Sequence, residues 1–230
     1  MNTITEFSFD EWVRQAKQFT EGLSQRVIGE VKSQAAIEPP LPPSAIDSLG
    51  SELGRPLPAA LRAFLECGSG SMDFSYRWTA TGTQAAAIKS VYRAKDHIWG
   101  GGEFCKSGKM PEWFRDCQQL AADPDSWLAE YPEDLEFWKN AIPIFRMRSG
   151  DYLALDGRKP ADDPAVVYLS HDEESKIIAP SFTAFLTEWE RLHYIGPDVS
   201  QLDAYYDDDG LLNANTDKGK ILRGAFGDVV

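Results

Sequence analysis

Between residues 142 and 180 four short apolar segments, IPIF, DYLALD, AVVYLS and SKIIAP, follow one another with only turn residues between them. Parallel strands need crossovers of a dozen or more residues, and Ser149-Gly150 or Asp162-Asp163-Pro164 leave room only for turns. The four segments must therefore form an antiparallel meander. Ser181 then stands as a good N-cap before Phe182, Phe185, Leu186 and Trp189, whose spacing predicts an amphipathic helix closing on that sheet. Earlier in the chain Phe74, Tyr76 and Trp78 alternate with Ser75, Arg77 and Thr79, the pattern of a strand with one buried face. The fold class expected is α+β, a twisted and mainly antiparallel sheet flanked by helices.

The N-terminal third is organised by proline. Pro39, Pro40, Pro42 and Pro43 exclude helix and favour an extended joint, read as a linker over 38–44. Before it, Ser8-Phe9-Asp10-Glu11 has the form of a capping box, and Trp12, Ala16, Phe19 and Leu23 follow at helical spacing. This predicts a helix from 9 to about 24, with a possible continuation to Ala36, so 1–37 is read as a helical extension. The main domain is assigned to 45–230. WGGGE, near residue 100, reads as a loop, and residues 111–139 as two or three short helices broken by Pro124 and Pro132.

Residues 52–70, ELGRPLPAALRAFLECGSG, read as two helices meeting at a fixed corner. Ile46, Leu49 and Leu53 form the stripe of a helix starting near Ser44, which Gly54 ends in a left-handed conformation. Pro58 suits the first turn of the next helix; Leu61, Phe64 and Leu65 give it an apolar face, and Gly68 and Gly70 stop it. Cys67, within that apolar helix, reads as a small buried hydrophobe.

Charge limits the partners. With 23 Lys plus Arg against 36 Asp plus Glu, the net charge of −13 repels polyphosphates and anionic lipid, so neither nucleic acid nor a membrane is expected as a direct partner. Residues 123–174 alone hold thirteen acids and five bases, a net of −8. Asp162-Asp163 and Asp172-Glu173-Glu174 fall in turns and Asp207-Asp208-Asp209 in the tail. They are either solvated turns or a negative face that steers a basic protein. Tyr205 and Tyr206, beside the last cluster, either pack on the domain or anchor a partner. The N-terminus MNTITEFSFD has neither the basic nor the apolar region of a secretory signal, and no run approaches a membrane span. Cys67, Cys105 and Cys117 are odd in number and irregularly spaced, which favours reduced thiols and a cytoplasmic location.

Catalytic signatures are thin. His97, His171 and His193 lie in no metal-binding spacing, CKSGKM lacks the Ser or Thr of a phosphate loop, and no cofactor motif is present. His171-Asp172 is conceivable as a catalytic pair, but neighbours in a strand point to opposite faces.

The order of these elements resembles the SUKH superfamily, in the branch typified by the yeast cell-wall-assembly regulator. The residues that carry the resemblance are Glu52, Leu53, Gly54, Leu57, Pro58, Phe64, Leu65 and Gly70 in the corner. Downstream they are Ile142-Pro143-Ile144, Gly150-Asp151, Val167-Tyr168, His171, Ala179-Pro180-Ser181-Phe182 and Phe185-Leu186, so the likeness spans 41–193. The resemblance implies an α+β fold, corner, turn and core roles for these residues, and binding rather than catalysis. Bacterial members serve as immunity proteins that neutralise a cognate polymorphic or contact-dependent toxin, often a nuclease. The eukaryotic regulators act as interaction hubs. The expectation is an immunity protein that occludes a toxin, with a multi-partner scaffold as the alternative and an enzyme using His171 as a third.

Overall fold

A computed structural model of the chain describes residues 7–93, 96–196 and 199–228; the start of the predicted extension, residues 1–6, lies outside them. Among the described residues seven strands form one antiparallel sheet in strict sequence order. These are β1 (Gly29–Ile37), β2 (Met72–Ala80), β3 (His97–Phe104), β4 (Ile142–Arg146), β5 (Tyr152–Leu155), β6 (Val166–Leu169) and β7 (Lys176–Ala179). The expected meander is its second half. The helices are α1 (Phe9–Gly22), α2 (Pro43–Glu52), α3 (Ala59–Ala63), α4 (Gly82–Tyr92), α5 (Met110–Ala122), α6 (Pro132–Asn140), α7 (Phe182–Arg191), α8 (Val199–Leu202) and α9 (Asp217–Ala225). The fold is α+β, as the residues predict.

The core lies between the sheet and α1, α3 and α7. Phe74, Tyr76 and Trp78 of β2 point into it, as do Phe182, Phe185, Leu186 and Trp189 of α7. Ser181 caps α7, accepting the Ala184 N–H at 3.1 Å. Trp12 of α1 sits 6.1, 5.7 and 6.0 Å from the rings of Phe64, Phe104 and Trp189, and its indole N–H donates to the Leu186 carbonyl at 3.0 Å. Offset and edge-on aromatic contacts of this kind add to the area they bury.

Several local expectations are corrected. The first helix ends at Gly22 and does not reach Ala36, because 29–37 is strand β1, laid along β2. The capping box does not close: the Ser8 hydroxyl donates to Asp10 at 2.6 Å, and Glu11 is occupied by Arg14 and Gln15. Helix α2 starts at Pro43, after Pro42 rather than Ser44. WGGGE is not a loop but lies inside β3. Its glycines are needed there, since at Gly101 (φ +72°) a Cβ would fall 2.0 Å from the Phe74 carbonyl oxygen. Cys67 is exposed. After α3 the chain widens into a π-turn over Phe64–Gly68, with Ser69 N–H bonded to the Phe64 carbonyl, and this rotates Cys67 off the buried face.

At the corner Gly54 has φ +66°, the left-handed turn that stops α2, and Pro58 immediately precedes α3. Leu57 is half-buried against the core, and Phe64 and Gly70 are buried. The corner also grips the far half of the sheet. Arg55 donates through its guanidinium to the carbonyls of Asn140 and Gly157, and Ala60 N–H donates to the Asp162 carbonyl at 2.8 Å.

Candidate functional site

A meander alternates its turns between the two ends of the sheet. The β4–β5 turn and the β6–β7 turn share one end, and the β5–β6 connection carrying Asp162 and Asp163 lies at the other. With about 3.4 Å per residue, β6 alone separates the two acidic turns by roughly 13 Å. The turns therefore do not make the single negative face that the sequence suggests.

The two ends use their acids differently. Asp163 is half-buried and accepts both the backbone N–H and the hydroxyl of Thr183, so its carboxylate holds the start of α7. Asp162 is exposed, while its carbonyl is tied to α3. At the opposite end the β6–β7 turn is built from its neighbours. Ser170 Oγ accepts the N–H groups of Asp172 and Glu173 at 3.3 and 3.0 Å. Buried Asp134, from the first turn of α6, accepts the Ser175 N–H at 2.7 Å. The side chains of Asp172, Glu173 and Glu174 are left exposed on this fixed backbone, and among the described residues no cation pairs with them. Lys176, the next base along, turns away to Asp203 at 3.3 Å and lies 4.5 Å from the centre of the Tyr206 ring.

Beneath the turn lies Asp151. One carboxylate oxygen meets the His171 N–H at 2.9 Å and its Nδ1 at 3.1 Å; the other accepts from Tyr168 at 2.6 Å and Ser149 at 2.7 Å. Burial alone would raise the pKa of Asp151, but hydrogen bonds from His171, Tyr168 and Ser149 outweigh it and hold the group well below the ordinary carboxylate range. The His171 ring also stands edge-on to Trp138, with centroids 4.8 Å apart. The carboxylate that His171 meets is thus Asp151, across the turn, and not its chain neighbour Asp172, with which the sequence implies no direct hydrogen bond. Gly150 precedes this aspartate with φ +97°, the tight turn its place in the motif implies.

The tail cluster also divides. Asp207 Oδ1 accepts from the N–H groups of Asp209 (3.1 Å) and Leu211 (3.0 Å), and Oδ2 from the Asn213 amide at 3.1 Å, so Asp207 builds its own turn. Asp208 and Asp209 are exposed. Tyr205 is buried and bonded to the Tyr92 hydroxyl, which removes it as an exposed anchor; Tyr206 is half-buried. Leu212 N–H donates to the Ile178 carbonyl at 2.8 Å, which docks this segment on the edge of β7.

Asp134 and Arg55 carry no signal in the sequence, because each finds its partners only after some 40 to 100 residues of chain fold back. Among the described residues no cluster of His, Cys, Asp and Glu is placed to hold a metal ion, and no helix is long and apolar enough to cross a membrane.

No curated protein matches the chain in sequence. Residues 40–188, well over half of its length, match the model of the SMI1 / KNR4 family (SUKH-1), and the chain belongs to that family.

Proposed function

We propose that the protein is an immunity protein of the SUKH type, which binds a cognate toxin through the acidic β6–β7 turn and blocks it by occlusion. The observation that carries this reading is the turn itself. Three adjacent carboxylates, Asp172, Glu173 and Glu174, project from a backbone fixed by Ser170, Asp134 and Asp151, with their charge unpaired among the described residues. A fixed cluster of unpaired charge raises the encounter rate with an oppositely charged surface and costs little ordering on binding. Such a surface belongs to a protein whose own substrate is a polyanion, which suits a nuclease toxin. Asp208 and Asp209, on the segment docked against β7, extend the negative field along that edge.

The reading is tested by affinity capture from the native cells with the wild type and with Asp172→Asn/Glu173→Gln/Glu174→Gln. One dominant basic protein, weakly held by the triple variant, supports it. Many unrelated partners, held equally by both, would replace it with the scaffold reading.

A further inference from the structure

Strand β1 opens the sheet, and among the described residues it pairs only with β2. It runs for nine residues, and most of them are exposed. The bonds at its two ends fix its phase: Thr81 N–H donates to the Ile28 carbonyl (3.3 Å) and Glu38 N–H to the Ser71 carbonyl (2.9 Å). Even-numbered residues thus turn their main chain toward β2, and Gly29, Val31, Ser33, Ala35 and Ile37 present theirs to the free edge. A row of unpaired N–H and C=O groups is a template for another strand, and proteins normally blunt it.

The side chains identify which strand fits. Glu30 and Lys32 flank Val31 on the open face of the sheet, with side chains 66% and 76% exposed and 3.2 Å apart. An antiparallel strand centred on Val31 of both copies places Glu30 opposite Lys32 of the second copy, twice over. Centring on Glu30 or on Lys32 would oppose like charges, and centring on Ser33 would pair neither. In the Val31 register Gly29 faces Ser33 and Val31 faces Val31, all with main-chain groups pointing across. Ile28, 65% exposed just before the strand, then lies opposite Gln34 of the second copy.

We propose that β1 is a self-complementary edge, and that two copies of the chain join through it into one continuous antiparallel sheet with a twofold axis at Val31. The edge belongs to the opposite end of the strand order from the acidic β6–β7 turn, so the proposal stands apart from the toxin-binding reading.

Sedimentation velocity over a wide concentration series tests it, using the full chain. The wild type is expected to reach a dimer. Glu30→Lys opposes lysines at both contacts and is expected to raise the dimer dissociation constant by about tenfold or more. The double swap Glu30→Lys/Lys32→Glu restores the pairing and is expected to restore the dimer. Val31→Pro removes an N–H that faces away from β2, so it spares the β1–β2 ladder and is expected to leave a folded monomer, with circular dichroism unchanged. A wild type that stays monomeric throughout, or a dimer unmoved by Glu30→Lys and Val31→Pro, overturns the proposal.

Discussion

The acidic connection between β5 and β6 and the acidic turn between β6 and β7 read alike in the sequence, yet they sit at opposite ends of the sheet and do opposite work. In the first, Asp163 is consumed by Thr183 at the start of α7. In the second, the acids consumed are Asp134 and Asp151, which reach in from other segments, and the turn's own three carboxylates find no cation among the described residues. A run of acids is therefore not yet a binding surface. What decides is whether the fold spends those carboxylates on its own N–H groups or supplies other acceptors in their place.

The largest effect separating the two ends should come from the support and not from the surface. Asp151→Ala leaves the His171, Tyr168 and Ser149 donors without their shared acceptor, and chemical denaturation should show a loss of about 3 kcal/mol. The pH dependence has a definite sign. Because the folded pKa of Asp151 lies below its unfolded value of about 3.9, its stabilisation is present above that pH and fades as pH falls below it. Asp151→Asn should therefore flatten the acid limb of the stability profile, and a profile unchanged from wild type would show that the carboxylate is not the group at work.

Next in size is Asp163→Ala, which removes an acceptor at the N-terminus of α7 and should cost about 1 kcal/mol, read as a lower thermal midpoint. Ser181 still caps that helix, which limits the loss. Smallest in stability is Asp172→Asn/Glu173→Gln/Glu174→Gln, expected to change folding by less than about 0.5 kcal/mol, since these side chains hold nothing in place. A drop in stability comparable to that of Asp151→Ala would erase the contrast between support and surface.

How much of this was readable follows the same line between local and long-range. The β4–β7 meander, β2 and α7 were legible because periodicity and turn chemistry act over a few residues. Strand β1 was not, since GEVKSQAAI has neither aromatics nor alternation and its partner lies some 40 residues on. Strand β3 was hidden by glycines that make room for different neighbours, Gly100 for Tyr76 and Tyr194, Gly101 for Phe74 and Gly102 for Phe145, all visible only in the folded sheet. The corner at Gly54 was plain, but its Arg55 clamp on Asn140 and Gly157 was not. At the candidate site the exposed acids were named from sequence, and the Gly150-Asp151 turn from the family resemblance. The contact between Asp151 and His171 was not, because the nearer Asp172 masked it.

The most direct test of the central claim sets the two acidic turns against each other in one capture experiment. Tagged wild type, Asp162→Asn and the Asp172→Asn/Glu173→Gln/Glu174→Gln variant are recovered from the native cells at low and at high salt, and bound proteins are identified by mass spectrometry. The account predicts one basic partner, retained by Asp162→Asn, weakened by salt and largely lost from the triple variant. Equal recovery by all three proteins, indifferent to salt, would contradict it.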